Sequence, residues 1–265
     1  MNKKYSLLVS SCDSYSELWN PFFYLLKKHW PDIDCSIYLC TESKKFSFAG
    51  LKIECPLNFT NKSTTWSENL RATIMNIKTD YVLLILDDFW IKSPVDTSVL
   101  DKCQEYMIND KEIGYICLAP NQPGPNLDTK YPELQYRSSE AIYRINAQAG
   151  IWRKDYLLKI LRKHESAWMF EWQGTRRSRF YYKEKVYMIK SSIKKPFDYP
   201  PGGVLFRGKY IKSHLDFYKD FNINIDTSRG IEELEDLRLK YSSIKTDRNK
   251  ISYWIDLFKS LSFRW

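Results

Sequence analysis

The sequence predicts an α/β fold closed by a helical C-terminal tail. Three observations predict it. Through the first two-thirds of the 265 residues, short apolar runs alternate with helix-period patterns, the order expected when strands and helices build one layered sheet. One run, Val82-Leu83-Leu84-Ile85-Leu86, is apolar at every position and reads as a strand buried on both faces at the sheet centre. Two helix-period stretches, at about 231–241 and 250–261, end the chain.

The elements follow in order. Residues 5–10 read as the first strand. Asn20-Pro21 reads as the cap and first residue of a helix whose buried side is Phe22, Phe23, Leu25 and Leu26, and Pro31 marks its end. Strands are expected at 35–41 and 51–55. Thr65-Trp66-Ser67-Glu68 spells a capping box, opening a helix with Trp66, Leu70, Ile74 and Ile77 on one face and Ser67 with Arg71 on another. After the central strand come a helix at about 97–108, a strand at 115–118 and a loop over 120–132 containing four prolines. Residues 141–146 read as a strand, 154–163 as a helix and 179–190 as a Tyr- and Phe-rich β segment. Pro200-Pro201-Gly202-Gly203 reads as another loop. No repeat or low-complexity tract appears. A single domain over 1–265 is expected, with parts at about 1–120, 121–220 and 221–265.

Composition narrows the class. With 43% hydrophobic and 28% charged residues, the chain is neither collagen-like nor wholly disordered, and no apolar run reaches the roughly 20 residues of a spanning helix. The net charge of +9 favours anionic partners without choosing among them. The six cysteines form no Cys-x-x-Cys pair, and three histidines do not complete a zinc set with them. Free core thiols suit a reducing compartment. Val9-Ser10-Ser11-Cys12 looks like a lipoprotein cleavage box, but the apolar stretch before it is shorter than a signal h-region. A cytoplasmic location is therefore expected.

Asp87-Asp88, at the end of the central strand, is the sharpest chemical feature. Ligands of open α/β sheets sit beyond the carboxyl ends of the strands. Two carboxylates there are placed to hold Mg²⁺ or Mn²⁺ together with phosphate oxygens. The same pair also reads as an acidic strand end, solvated or paired with a lysine.

At these residues the sequence resembles a family: the bacterial glycosyltransferases of the GT-A fold that build surface polysaccharides such as O-antigen and capsule. Four places carry the resemblance: the turn Ser11-Cys12-Asp13-Ser14, the helix segment Ser67-Glu68-Asn69-Leu70-Arg71, the strand end Leu86-Asp87-Asp88-Phe89, and Asn146-Ala147-Gln148-Ala149-Gly150-Ile151-Trp152 leading to Trp168-Met169-Phe170-Glu171. They span about residues 5–172. The family's metal motif is Asp-x-Asp, and here the carboxylates are adjacent. The resemblance implies a GT-A-like (Rossmann-like) central mixed, mainly parallel sheet flanked by helices. It implies sugar transfer from a nucleotide-sugar donor to a glycan or lipid-linked glycan acceptor, with Mn²⁺ or Mg²⁺. It places Ser11 and Asp13 near the nucleotide, and Ser67 and Arg71 at the base or diphosphate. Asp87 and Asp88 would hold metal and donor, and Gln148 and Trp152 would line the sugar pocket. Glu171 would be the general base of an inverting transfer. As bland alternatives, Arg71 reads as a solvated helix arginine and Trp152 as a core residue.

Three features lie outside the resemblance. Arg207 and Lys209 follow Gly202-Gly203 and read either as a lid over a diphosphate or as a basic turn. Ile251, Trp254, Ile255 and Phe258, flanked by Lys250, Lys259, Arg264 and Trp265, form a helical stripe suited to peripheral contact with the cytoplasmic face of the inner membrane, or to packing on the chain's own core. His214 reads as a late metal ligand, as in some GT-A enzymes, or as a structural histidine.

Rival readings remain. Pro31-Asp32 with Glu42-Ser43-Lys44 superficially matches a metal-dependent nuclease. A basic module for nucleic acid or anionic membrane predicts clustered cations, and only Arg176-Arg177-Ser178-Arg179 is dense. No nucleic-acid partner is expected. A sugar-1-phosphate nucleotidyltransferase would open with a glycine-rich loop, which Ser11-Cys12-Asp13 lacks.

Overall fold

The computed structural model describes residues 5–56, 64–180, 183–242 and 258–260. The strands of the main sheet are β1 (Tyr5–Ser10), β2 (Ile37–Leu39), β3 (Ile53–Glu54), β4 (Tyr81–Leu86), β5 (Ile113–Cys117), β6 (Asn126–Asp128), β7 (Leu134–Arg137), β8 (Gly150–Arg153) and β9 (Lys185–Ile189). They form one nine-stranded sheet in the order β3-β2-β1-β4-β8-β5-β9-β7-β6. β8 is antiparallel to both of its neighbours, β4 and β5, and β7 to β9 and β6. The other pairings are parallel, so seven of the nine strands run one way. This is the mixed, mainly parallel sheet expected. β8 comes from the second half of the sequence and sits between two strands of the first half, so the halves drawn at about residue 120 share one sheet.

Helices α1 (Trp19–His29), α2 (Trp66–Asn76), α3 (Thr97–Asn109), α4 (Lys154–Ile160) and α5 (Ala167–Phe180) flank the sheet. Alternation along the strands sorts the core into two layers. Leu7, Val9, Leu83 and Ile85 pack with Phe22, Phe23, Leu25 and Leu26 of α1 and Leu100, Cys103 and Met107 of α3. Leu8, Val82 and Leu84 pack with Leu70 and Ile74 of α2, Tyr156 and Leu157 of α4 and Phe170 of α5. β4 is thus covered on both faces, as its unbroken apolar run requires. Each fully buried aliphatic side chain in such a strand contributes about 1.5–3 kcal/mol.

α2 opens with the capping box the sequence spells. The Thr65 side chain accepts from Glu68 N at 3.2 Å, and Thr65 N donates to Glu68 Oε2 at 3.0 Å. α1 starts earlier than Asn20-Pro21 suggests, because a 3-10 turn over Asp13–Leu18 runs directly into Trp19. Pro21 then falls in the first helical turn, where an absent N–H removes no intrahelical bond. The expected strand at 141–146 is instead a turn, with Tyr143 at φ 51°. Its polar groups are met by side chains and not by a strand ladder. Ile145 N donates to Thr175 Oγ1 at 3.1 Å, and Arg144 Nε to the Arg137 carbonyl at 3.2 Å. Helix α5 runs on through Arg179 and Phe180, and among the described residues of the expected β segment the strand is Lys185–Ile189. The proline loop holds β6, hairpinned onto β7, and neither strand was expected.

A small sheet, β10 (Leu205–Phe206), β11 (Lys209–Ile211) and β12 (Ile231–Glu232), packs on the α1/α3 core through Tyr210, which lies 6.2 Å from Trp90 between ring centroids. β12 takes the first residues of the helix expected at 231–241. The helices α6 (Lys212–Leu215) and α7 (Leu234–Ser242) follow β11 and β12. The stripe of Ile251, Trp254 and Ile255, with Lys250, Arg264 and Trp265, lies outside the described residues. Phe258 and Lys259 are exposed, and Ser260 is buried. Among the described residues no helix is long and apolar enough to cross a membrane.

Candidate active site

β4 ends where its parallel neighbour β1 also ends. Asp87 N donates to the Ser10 carbonyl at 3.2 Å, which carries the ladder one residue past both strands and fixes the backbone of the first carboxylate. Asp87 is 7% exposed. Its Oδ2 accepts from Ser11 Oγ at 2.5 Å, and that hydroxyl accepts in turn from Trp19 Nε1 at 2.6 Å. Ser11 therefore orients Asp87. Burial pushes the Asp87 carboxyl up to about 7, against the lowering effect of the Ser11 hydrogen bond.

Asp88 points into the fold. Its Oδ1 is buried with no hydrogen-bond partner among the described residues. Burial, and after it the charge of Asp87, raises its pKa well above the carboxylate range. The loop expected at 200–203 packs directly on it: Val204 N donates to the Asp88 carbonyl at 2.9 Å. Gly203 has φ +84°, and a Cβ there would meet Asp88 Oδ2 at 2.6 Å. Only glycine satisfies both the backbone angle and the contact. His214 Nδ1 lies 2.7 Å from the Gly203 carbonyl, to which it must donate. This supports the glycine loop from behind.

The raised pKa of Asp87 gives a stability prediction. The folded state holds a proton that the unfolded chain releases near its ordinary value, so the group's contribution is complete below about 4 and lost as pH rises through about 7. The effect is on the order of a few kcal/mol. In ligand-free, chelator-treated protein, Tm of wild type minus that of Asp87→Asn should fall between pH 5 and pH 8. A flat difference would show that Asp87 titrates normally.

A second group borders the carboxylates. Arg229 Nε donates to Glu17 Oε1, Nη2 to the Ser14 carbonyl, and the guanidinium sits 4.1 Å over the Tyr15 ring. Both Glu17 and Arg229 act electrostatically on Asp87, Glu17 raising and Arg229 lowering its pKa. Sequence reasoning missed Glu17 and Arg229, which stand far apart in the chain and in no motif. Lys209 leads to them: its Nζ donates to the Arg229 carbonyl at 2.6 Å. Lys209 thus ties the strand β11 to the Arg229 segment. Arg207 is exposed in the two-residue turn between β10 and β11, where it and Gly208 both take positive φ.

Glu171 arrives from the other side. β8 begins at Gly150, paired with Leu84, so the loop before it lies at the carboxyl edge of β4. There Ala147 N donates to Glu171 Oε1 at 2.8 Å. Burial raises the Glu171 pKa, and the Ala147 hydrogen bond opposes the rise. Gln148 Oε1 accepts from Tyr199 OH at 3.3 Å, and the Tyr199 ring stacks on Phe89 at 4.2 Å. Tyr199 therefore stitches the loop that hydrogen-bonds Glu171 to the residue after Asp88. Glu171 also lines a cavity of about 200 Å³ with Tyr143, Trp172 and Arg176.

Other expected site residues are used elsewhere. Trp152 does not line a sugar pocket: it is fully buried and stacked on Tyr115 at 3.7 Å. Ser67 is likewise fully buried. Arg71 Nη1 reaches the Leu158 carbonyl at 3.5 Å and so contacts α4. Asp13 does not present its carboxylate to a base. Its oxygens accept from Glu42 N, Ser43 N, Ser43 Oγ and Lys44 N, and Asp13 N donates to Glu42 Oε2. These bonds hold its pKa below the usual value. The nuclease pattern does not assemble, because Asp32 precedes β2 and Glu42 follows it, at opposite ends of the strand. Of the dense cations, Arg177 is buried, which breaks the basic patch.

Among the described residues no three His, Cys, Asp or Glu side chains gather as a metal site. The two aspartates nonetheless fit a hard cation. Asp88 Oδ1 is an unpartnered buried acceptor, and Mg²⁺ ordinarily takes one or two carboxylates with waters and phosphate oxygens.

Fold and geometry together define an α/β protein with two aspartates at the carboxyl edge of its sheet, the topological position where such sheets bind ligands. The sequence matches no protein-family model, and no curated protein matches it. Among solved structures it is similar to S. aureus TarS 1-349, at TM-score 0.49 and 12% identity over 98% of this chain and 81% of that one. The same fragment in complex with UDP-GlcNAc aligns at TM-score 0.46 and 10% identity, over 72% and 57%. Against a longer S. aureus TarS structure the values are 0.47 and 12%, over 72% of this chain and 36% of that one, so the chain spans about a third of its length. A likeness at this identity transfers no substrate from those proteins to this one.

Proposed function

We propose that the protein is a glycosyltransferase that moves a sugar from a nucleotide-sugar donor to a hydroxyl of a glycan or lipid-linked glycan, with inversion, and with Mn²⁺ or Mg²⁺ at Asp87 and Asp88. One observation carries the reading. A buried carboxylate pair with an unpartnered oxygen and a separate, desolvated Glu171 occupy the same edge of the sheet, joined through Tyr199.

The residues divide the work. Asp87, oriented by Ser11, and Asp88, backed by Gly203, would hold the ion. When bound, that ion supplies positive charge against the nucleotide diphosphate as it leaves. Glu171 keeps one oxygen on Ala147 N and turns its other toward the acceptor, whose hydroxyl proton it takes. Desolvation makes it a stronger base than an exposed glutamate. The proton ends on Glu171 as the acceptor oxygen bonds the anomeric carbon. Arg229, held by Glu17 and the Ser14 carbonyl, adds positive charge that acts on Asp87.

Thermal unfolding against UDP, GDP, CDP and CMP, each with and without Mn²⁺, tests this reading. Ligand at 100 times its Kd stabilises by about 2.7 kcal/mol, a shift of roughly 5–10 °C at this length. An Mn²⁺-dependent shift with one nucleotide is expected. No shift with any of them overturns the reading. Asp88→Asn should abolish that shift, because an amide is a poorer ligand for a hard cation than a carboxylate. A variant that keeps the Mn²⁺-dependent shift argues against Asp88 as a ligand.

A further inference from the structure

The inner side of α5 is core: Phe170, Gln173, Gly174, Arg177 and Ser178 are buried. Its outer side carries large apolar side chains in solvent. Trp168 is 65% exposed, Trp172 52% and Phe180 77%, and Ile142 on the adjoining turn is 53% exposed. At about 100° per residue, Trp168, Arg179, Trp172 and Arg176 fall within an arc of about 80°, with Phe180 about 40° beyond. Two tryptophans, then two arginines and Phe180, therefore follow one another along one ridge. Arg179 donates to the carbonyls of Glu140 and Ala141, neutral acceptors that leave its charge in place, and Lys183 is exposed just past the helix.

We propose that this ridge seats the protein on an anionic lipid bilayer, with Trp168, Trp172 and Phe180 entering the boundary between headgroups and acyl chains and Arg176 and Arg179 meeting lipid phosphate. Two features favour a bilayer over a protein partner. Trp and Phe together with arginine is the composition of an interfacial helix face. The chain's net charge of +9 has the complementary sign. Glu171 lies at the border of the ridge, so a hydroxyl carried on a lipid would reach its cavity from the surface. The surface differs from the C-terminal stripe read in the sequence and belongs to the catalytic helix itself. It goes beyond the transfer reaction and does not depend on it.

The test is co-sedimentation of the full chain with vesicles of phosphatidylcholine alone and of phosphatidylcholine mixed with phosphatidylglycerol. Wild type should pellet with the mixed vesicles. Trp168→Ser with Phe180→Ser should lower the partition coefficient roughly tenfold or more. Arg179→Gln should lower it roughly fivefold on anionic vesicles and leave neutral ones unaffected. These side chains are exposed, and unchanged circular dichroism confirms that the variants fold. Wild type remaining in the supernatant, or variants pelleting as wild type does, overturns the proposal. So does a Trp172→Ser variant that binds vesicles normally while its KM for a glycan acceptor rises, since the ridge would then be a sugar platform. Pelleting needs neither nucleotide nor turnover, so its failure leaves the transferase reading standing.

Discussion

Glu171→Gln should lower the rate of sugar transfer by about 10²–10⁴-fold, the usual range for a positioned general base, and leave the nucleotide-induced Tm shift within error. The substitution keeps an oxygen to accept from Ala147 N and removes only the ability to take a proton. The pH profile supplies a second readout. Burial sets the Glu171 pKa above its ordinary value, so wild-type kcat/KM should rise with pH through that higher value. The residual activity of the variant should lack that limb. Transfer within threefold of wild type, or an unchanged acid limb, would show that Glu171 is not the base.

The second large effect concerns stability. Arg177 and Glu165 are both fully buried. The guanidinium donates to both carboxylate oxygens, at 2.6 and 2.7 Å, and to the Ile160 carbonyl at 2.6 Å. Ser260 adds a hydroxyl to Glu165 at 2.7 Å. The pair thus fastens α5, with Glu171 on it, to the end of α4 and to the segment at 258–260. Arg177→Met leaves an uncompensated buried carboxylate and should cost about 3–5 kcal/mol, roughly 6–20 °C in Tm. Arg177→Met with Glu165→Leu should recover most of that loss, because the pair's own desolvation offsets much of its attraction. Urea midpoints measure both variants. A single variant within 1 kcal/mol of wild type, by the order-of-magnitude reckoning for buried pairs, would rule out this fastening.

The parts legible in the sequence are those governed by local pattern. The unbroken apolar run at 82–86 marked the central strand, because a strand covered on both faces has no polar position to show. Thr65 and Glu68 marked the start of α2, because a capping box is satisfied within four residues. Asp87-Asp88 stood out against the apolar run before it. The misread parts are those where distant side chains meet backbone. Residues 141–146 have strand-like composition, yet Thr175 and Arg144 satisfy that stretch as a turn. Residues 179–180 have β-like side chains, yet the buried side of α5 and the Arg177–Glu165 pair carry the helix through them.

The sequence by itself determined the α/β class, the central strand and the carboxylate pair at its end, since periodicity and a polar break after an apolar run are properties of neighbouring residues. Tertiary structure alone decided which candidates meet. It sent Trp152 into the core and Asp13 into a loop lock. It brought Glu17, Arg229 and Gly203 to Asp87 and Asp88, and it turned Arg177 inward while Trp168 and Trp172 stayed out. Those outcomes depend on which helix face the sheet buries and on which strand inserts between β4 and β5, and long-range packing sets both.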